Sequence, residues 1–335
     1  MNAPVRAAII GLGRWGQNLV NANAGNPASS LRFTHAATRS PQKAEEFCME
    51  KGINLLSRFE EILASPDVDA VILATPHSQH ADQICQAAAA GKHVFVEKPF
   101  TLTLADAERA VKAARAANVK LCVGFNRRFL PGFKALAENA SDGTLGTLLH
   151  VEGAFSGSFG YGYTNDMWRG DTSENPAGGM AAMGIHILDT MIRLLGPVKR
   201  VSTISRHVAV PSDVKDVTNV SLDFVSGATG SLSTLMSTAS FWRLHLFGSK
   251  GWGHMPEQTR LIMSDIDGKQ DETSYGQIDT LALELDAFAR AILHGEEYPV
   301  SHAQALAGVA AMEAISQSSN QDGMWIDVKS SDIAL

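Results

Sequence analysis

Lys98 closes the run Gly91-Lys92-His93-Val94-Phe95-Val96-Glu97-Lys98-Pro99, at the carboxyl end of a short apolar segment. In an open parallel α/β sheet, ligands bind where the strands end. A lysine at such an end, followed by a residue of fixed φ, can direct its ammonium at a substrate oxygen. Earlier in the chain, Gly11-Leu12-Gly13-Arg14-Trp15-Gly16 follows another apolar run directly. Gly11 permits a tight turn, Gly13 lets the backbone approach a pyrophosphate, and Gly16 lets the next helix pack close to the sheet. The start of that helix, with Arg14 and Trp15, offers free N–H groups to the anion. After these comes a helical pattern that bears His186.

The second strand ends Ala36-Ala37-Thr38-Arg39-Ser40. An NAD site usually has an acid here to hold the ribose 2′-hydroxyl, and none is present. The Arg39 guanidinium can instead pair with a 2′-phosphate and stack on adenine, with Thr38 and Ser40 as hydrogen-bond donors. NADP(H) is therefore expected over NAD(H), with NAD(H) the alternative. Thr38, Ser40 and Pro41 could also simply cap the next helix. A further strand ends Thr75-Pro76-His77-Ser78-Gln79-His80 at the same sheet edge, so it should line the cofactor cleft. His77 and His80 stand at a helix start and are expected to cap it or touch the cofactor. No third residue has the spacing of a metal ligand, so no metal is expected.

The elements that must position these groups alternate over the first third. Strands are expected at 5–10, 31–37, 70–74, 94–96 and 119–123, with helices at 14–24, after Pro41, at 103–117 and in the alanine-rich stretch before Gly91. Ser57-Arg58-Phe59-Glu60 has the form of a capping box. This order predicts a doubly wound parallel sheet, a Rossmann α/β domain over residues 1–124. From 125 to 335 the texture changes. Strand patterns at 147–155, 198–205, 217–225 and 229–236, then helical patterns at 277–294 and 301–318, predict an α+β domain with a largely antiparallel open sheet.

The chain has 335 residues, 45% hydrophobic and 19% charged, with a formal charge of −7. There is no basic run, so nucleic acid and anionic membranes are not expected partners. The three cysteines fit a reducing compartment and give neither a disulfide frame nor a zinc-type alcohol dehydrogenase site. With no signal-peptide pattern and no stretch able to span a bilayer, a cytoplasmic location is expected.

In order along the chain, Gly11 to Gly16, Thr75-Pro76 with His80, Gly91-Lys92-His93-Val94, Glu97-Lys98-Pro99, Gly124-Phe125-Asn126-Arg127-Arg128-Phe129, Trp168-Arg169, and Gly178-Gly179 leading to Gly184-Ile185-His186-Ile187-Leu188-Asp189 resemble the motifs of the glucose-fructose oxidoreductase, inositol dehydrogenase and rhizopine catabolism family, Gfo/Idh/MocA. The resemblance spans nearly the whole chain. It implies NAD(P)-dependent hydride transfer on sugars, cyclitols or related small molecules, and a homodimer or homotetramer formed through the C-terminal sheet. By the same resemblance, Lys98 is similar to the family's substrate-orienting lysine and His186 to its acid/base histidine. The chemistry fits: an imidazole can take the hydroxyl proton, and an ammonium can stabilise the alkoxide as hydride leaves.

Glu97 and Asn126 are expected at the cofactor. Arg127, Trp168, Arg169, Met183 and Asp189 are expected at the substrate, with Asp189 orienting His186 or pairing with Arg193. The family often has an aspartate four residues before the histidine, where this chain has Ala182. The pocket floor of Met180, Ala182 and Met183 is then less polar. That keeps two alternatives open: a cis-dihydrodiol (dihydroxyphthalate-type) dehydrogenase, or a non-catalytic NADP-sensing regulator on the same fold.

Overall fold

Small and β-branched residues let the first strand sit deep: in β1 (Val5–Ile10), four of the six residues, Ala7, Ala8, Ile9 and Ile10, are buried in succession. Burial on both faces is the mark of a central parallel strand. The computed structural model describes residues 3–26 and 28–333. Its contacts divide the chain into two units, one of Met1–Thr101, Ala105–Asn126 and Asp279–His302, the other of Leu102–Leu104, Arg127–Ile278 and Ala303–Leu335.

In the first unit, β1 is joined by β2 (Leu31–Ala37), β3 (Asn54–Leu56), β4 (Ala70–Leu73), β5 (His93–Glu97) and β6 (Leu121–Gly124). All neighbours are parallel, in the order β3-β2-β1-β4-β5-β6. This is the dinucleotide-binding order, in which the crossing point beside β1 leaves a crevice at the strand ends. The helices are α1 (Arg14–Ala24), α2 (Glu45–Lys51), α3 (Phe59–Ala64), α4 (His80–Ala89) and α5 (Leu104–Ala116).

The sequence reading differs from the structure in local ways here. The short strand β3 was not expected. Pro41 opens a 3-10 turn over Pro41–Lys43 before α2 begins. The expected capping box is not formed: Ser57 N and Oγ donate to Glu61, at 3.2 and 3.1 Å, because α3 begins one residue later than the motif implies.

In the second unit, α6 (Pro131–Ser141) precedes β7 (Leu148–Ser156), and α7 (Ile185–Leu195) leads to β8 (Val198–Arg206). Then come β9 (Val217–Phe224), β10 (Thr229–Leu235), β11 (Phe241–Gly248), β12 (Gly251–Glu257), β13 (Arg260–Asp265) and β14 (Gln270–Ser274). The expected β9–β10 hairpin forms, with Thr229 opposite Asp223.

The sheet runs β14-β13-β12-β11-β7-β10-β9-β8-β15, where β15 is Ile326–Asp327. Among the described residues, only the β7–β10 pair of this sheet is parallel. Strands β11 to β14 went unread in the sequence because their alternation mixes His, Trp, Gly and Arg with few β-branched residues. The last is wholly exposed Gln270–Ser274, a polar edge that resists further pairing.

The helix read at 277–294 begins later, as α8 (Thr280–His294), capped by Asp279, whose side chain accepts from Leu281 N and Ala282 N. It groups with the first unit, where the Phe288 ring lies 5.8 Å from that of Phe95 on β5. A single division near residue 124 does not describe this return of the chain. The last helix, α9 (His302–Ser319), carries its buried residues around its whole circumference, as a helix inside a core does.

Candidate active site

In the first unit the turn after β1 is built for a close-lying ligand. Gly11 has φ +94°, and a Cβ there would stand 2.6 Å from the Ala74 carbonyl oxygen. A Cβ on Gly16 would stand 2.0 Å from the Gly11 carbonyl oxygen, so only glycine lets α1 begin this close to the turn. At Gly13 the opposite holds: a Cβ would meet nothing within 4 Å. Gly13 is the N-cap of α1 and no side chain caps that helix. Open space in front of an uncapped helix start fits a pyrophosphate.

Arg14 and Arg39 are exposed, and neither has a hydrogen-bond or ion-pair partner among the described residues. Thr38 and Ser40 flank Arg39 and are half-buried; Ser40 makes no side-chain cap to the turn that follows it.

Lys98 follows β5, half-buried, with a cis peptide bond to Pro99. Its Nζ lies 5.9 Å from the centre of the Trp15 indole, so the ammonium and the glycine loop are brought together. Glu97 is buried at the strand end, where its Oε1 would stand 3.2 Å from a Cβ on Gly124. Asn126 is buried too, and its Nδ2 donates to Thr280 Oγ1 of α8 at 3.0 Å. On the neighbouring loop, the Thr75 hydroxyl donates to Gln83 Oε1 at 2.6 Å. Pro76 precedes a 3-10 turn, His77–Gln79, in which His77 is buried.

His80 is engaged within the protein through both ring nitrogens. It has 0% exposure, with Nδ1 2.9 Å from the Pro99 carbonyl and Nε2 3.1 Å from the Thr75 carbonyl. Its expected cofactor contact is therefore corrected to a bridge between two loops.

In the second unit, Met180–Gly184 forms a π-helical turn that runs straight into α7. Such turns recur at functional sites because they reset which side chains face inward. His186 is the second residue of α7, 5% exposed, with its ring 6.0 Å from that of Phe155 on β7. The Arg127 guanidinium lies 5.4 Å from the centre of the same Phe155 ring, so Arg127, Phe155 and His186 form one group. Arg169 stacks at 4.2 Å on Trp168 within the 3-10 turn Trp168–Gly170.

Met183 and Ala182 are half-buried, and Met183 packs where a Cβ on Gly157 would lie, 3.1 Å from its Cε. Met180 is fully buried, which makes it core rather than pocket floor.

Asp189 departs from the sequence reading. Its carboxylate accepts from Arg128 Nε at 2.6 Å and Nη2 at 2.8 Å, and the two side chains are 2% and 4% exposed. Burial pushes the Asp189 carboxyl up, and Arg128 opposes that. A bidentate pair of this kind is fixed in geometry. Asp189 thus anchors α7 instead of meeting substrate, and its partner is neither His186 nor Arg193. Arg128 also donates to Gln304 Oε1 of α9 at 3.2 Å. Arg128 and Phe155 are the residues the sequence reading missed. The only available signal was the doubled arginine after Asn126, which does not say which guanidinium turns inward.

Two family models match the chain: an oxidoreductase family with an NAD-binding Rossmann fold over residues 5–125, and the GFO/IDH/MocA C-terminal domain over residues 133–254. A scyllo-inositol 2-dehydrogenase (NAD(+)) of Bacillus subtilis (strain 168) is 35% identical over 158 residues, 46% of this chain and 45% of that protein. The chain therefore spans less than half of the length of that relative. A trans-1,2-dihydrobenzene-1,2-diol dehydrogenase of Mus musculus is 26% identical over 272 residues, 80% of this chain and 79% of that one. A levoglucosan dehydrogenase solved in complex with NADH and levoglucosan has a TM-score of 0.87 at 23% identity, covering 97% of this chain and 99% of that one, a likeness of fold.

Proposed function

This chain belongs to the GFO/IDH/MocA oxidoreductase family, and from that premise we propose that it transfers hydride between a nicotinamide dinucleotide and a secondary alcohol or carbonyl of a sugar, cyclitol or related cyclic hydroxyl compound. The observation that carries this reading is the meeting of Lys98 with the glycine loop, its Nζ 5.9 Å from Trp15, beside the open space at Gly13. A dinucleotide bound there supplies the hydride acceptor or donor.

In the oxidative direction the C–H bond of the carbinol breaks with its electron pair, and the hydroxyl proton must leave as the carbonyl forms. His186 takes that proton. Lys98 stabilises the oxygen while it carries negative charge, which counts most where water is excluded. Glu97, Asn126, Thr75, Pro76 and His77 shape the cofactor side. Arg127, Trp168, Arg169 and Met183 shape the substrate side.

Two unpartnered arginines and the absence of an acid at the end of β2 favour NADP(H). Arg39→Ala should weaken NADPH binding by about 10-fold and leave NADH binding nearly unchanged; equal losses would remove the preference. A second reading, a cyclic diol of lower polarity such as a dihydrodiol, is favoured by the Phe155 ring against His186 and by the apolar Ala182 and Met183 in the turn before it.

Self-association to a homodimer or homotetramer through the second sheet is supported by its half-buried outer row of His245, Phe247, Trp252 and His254. Light scattering on a sizing column measures it.

A panel of aldoses, inositols and carboxylated or plain cyclic diols, followed by NADPH and NADH absorbance, tests the function. Turnover of one of these classes is the expected result. Tight nucleotide binding with no turnover on any member would favour a sensor instead.

A further inference from the structure

We infer that His80 is held as an imidazolium whose two N–H groups clamp the Thr75 and Lys98–Pro99 loops together, making it a positioning residue for Lys98. The inference rests on the reading of Lys98 as the reacting-site lysine, and it adds what holds that lysine in place. The Pro99 and Thr75 carbonyl oxygens, 2.9 and 3.1 Å from the two ring nitrogens, can only accept. Each contact therefore needs an N–H, and a neutral imidazole has one. Both bonds are made together only by the cation. A buried cation is costly without partners, but two charge-assisted bonds to aligned carbonyls offset that cost.

The surroundings agree. His80 is the first residue of α4, which packs on β4 and β5. The His77 ring meets it edge-on at 5.9 Å. Asp82, in the same first turn, is engaged by Arg109 at 2.8 Å on the exposed side. Glu97 and Lys98 stand on the strand end just before the clamped carbonyl. The Thr75 hydroxyl is tied to the same helix through Gln83 at 2.6 Å. One helix start thus grips the loop expected at the cofactor and the loop that carries Lys98.

The test uses the whole protein labelled with ¹⁵N-histidine, with the His80 signals assigned by their loss in His80→Gln. Both ring nitrogens should give protonated shifts up to about pH 8, where an ordinary histidine is neutral. One unprotonated His80 nitrogen at neutral pH would overturn the inference, and this measurement needs no variant to be active.

Kinetics give the second arm. His80→Phe, which keeps the ring shape and removes both donors, should lower kcat by about 10- to 100-fold. Substrate KM and NADPH affinity should move far less. In a Lys98→Ala background the same change should lower single-turnover rates no further. An equal loss in both backgrounds would overturn the positioning role. Full turnover of Lys98→Ala would overturn the reading of Lys98 and the positioning role with it, while the ¹⁵N shifts still decide the charge.

Discussion

In the first unit the proposed anion cradle is made of backbone: Gly11 and Gly16 permit close packing against carbonyl oxygens, Gly13 faces open space, and an uncapped helix start offers the N–H groups. In the second unit the proposed substrate-side groups are side chains: Arg127 and His186 both lie against Phe155, and Arg128 is locked onto Asp189. The difference has a physical source. A pyrophosphate is the same in every dinucleotide and can be held by groups that every residue carries. A substrate differs from enzyme to enzyme, and discrimination needs shapes and charges that only side chains supply. Changes in the first unit should therefore act through space, and changes in the second through pairing.

The largest expected effect tests Lys98, the side chain proposed to carry chemistry in the backbone-built unit. Lys98→Ala should reduce kcat by about 1,000-fold or more, with NADPH affinity by fluorescence titration almost unchanged. Retained turnover would place the charge stabilisation elsewhere and leave that unit as cradle alone.

Next is the buried pair of the second unit. Arg128→Met leaves the Asp189 carboxylate without its partner and should cost about 3–5 kcal/mol in denaturant unfolding. A loss under about 1 kcal/mol would mean that α7 is held by apolar packing instead.

Gly13→Val sharpens the contrast most directly. Its side chain enters open space, so the melting temperature should hold, while NADPH affinity falls by about 100-fold as the methyls fill the anion's place. Gly16→Ala, whose Cβ would stand 2.0 Å from a carbonyl oxygen, should instead destabilise the fold. If both variants behave alike, the space at Gly13 is not the cradle.

The smallest effect belongs to pH. On the second sheet the His245 ring stacks on that of His254, with centres 4.5 Å apart. Burial holds His245 down at about 4, and the neighbouring His254 and Arg243 push it the same way. A histidine so depressed binds protons more readily unfolded than folded. Its contribution is therefore whole above the unfolded value, near 6.5, and is lost as pH falls from there to about 4. The loss should be at most about 2 kcal/mol, given solvent screening of a half-buried ring. Thermal melts across that interval check it, and His245→Phe should flatten the dependence.

The glycine turn was legible because its requirement is local. A turn at φ +94° and a helix start against a carbonyl oxygen demand glycine at those positions, whatever surrounds them. The strand–helix alternation gave the parallel class of the first sheet for the same reason, but not its strand order. Asp189 was misread because helix spacing shows only neighbours on one helix, while its true partner is 61 residues away. His80 could be placed at a helix start, but which carbonyls met its nitrogens depended on a second loop. Strands β11 to β14 were missed because their pairing is set by neighbours across the sheet more than by their own composition.

By itself the amino-acid sequence determined the parallel sheet and the glycine turn, and it nominated Lys98 and His186 for the proposed chemistry. The return of α8 to the first unit, the inward turn of Arg128 and the two-sided engagement of His80 were decided by the tertiary structure. The reason is one of range. Backbone conformation and hydrophobic period are fixed within a few residues. The partner of a buried charge is chosen by whichever distant group the packed chain brings within hydrogen-bond reach.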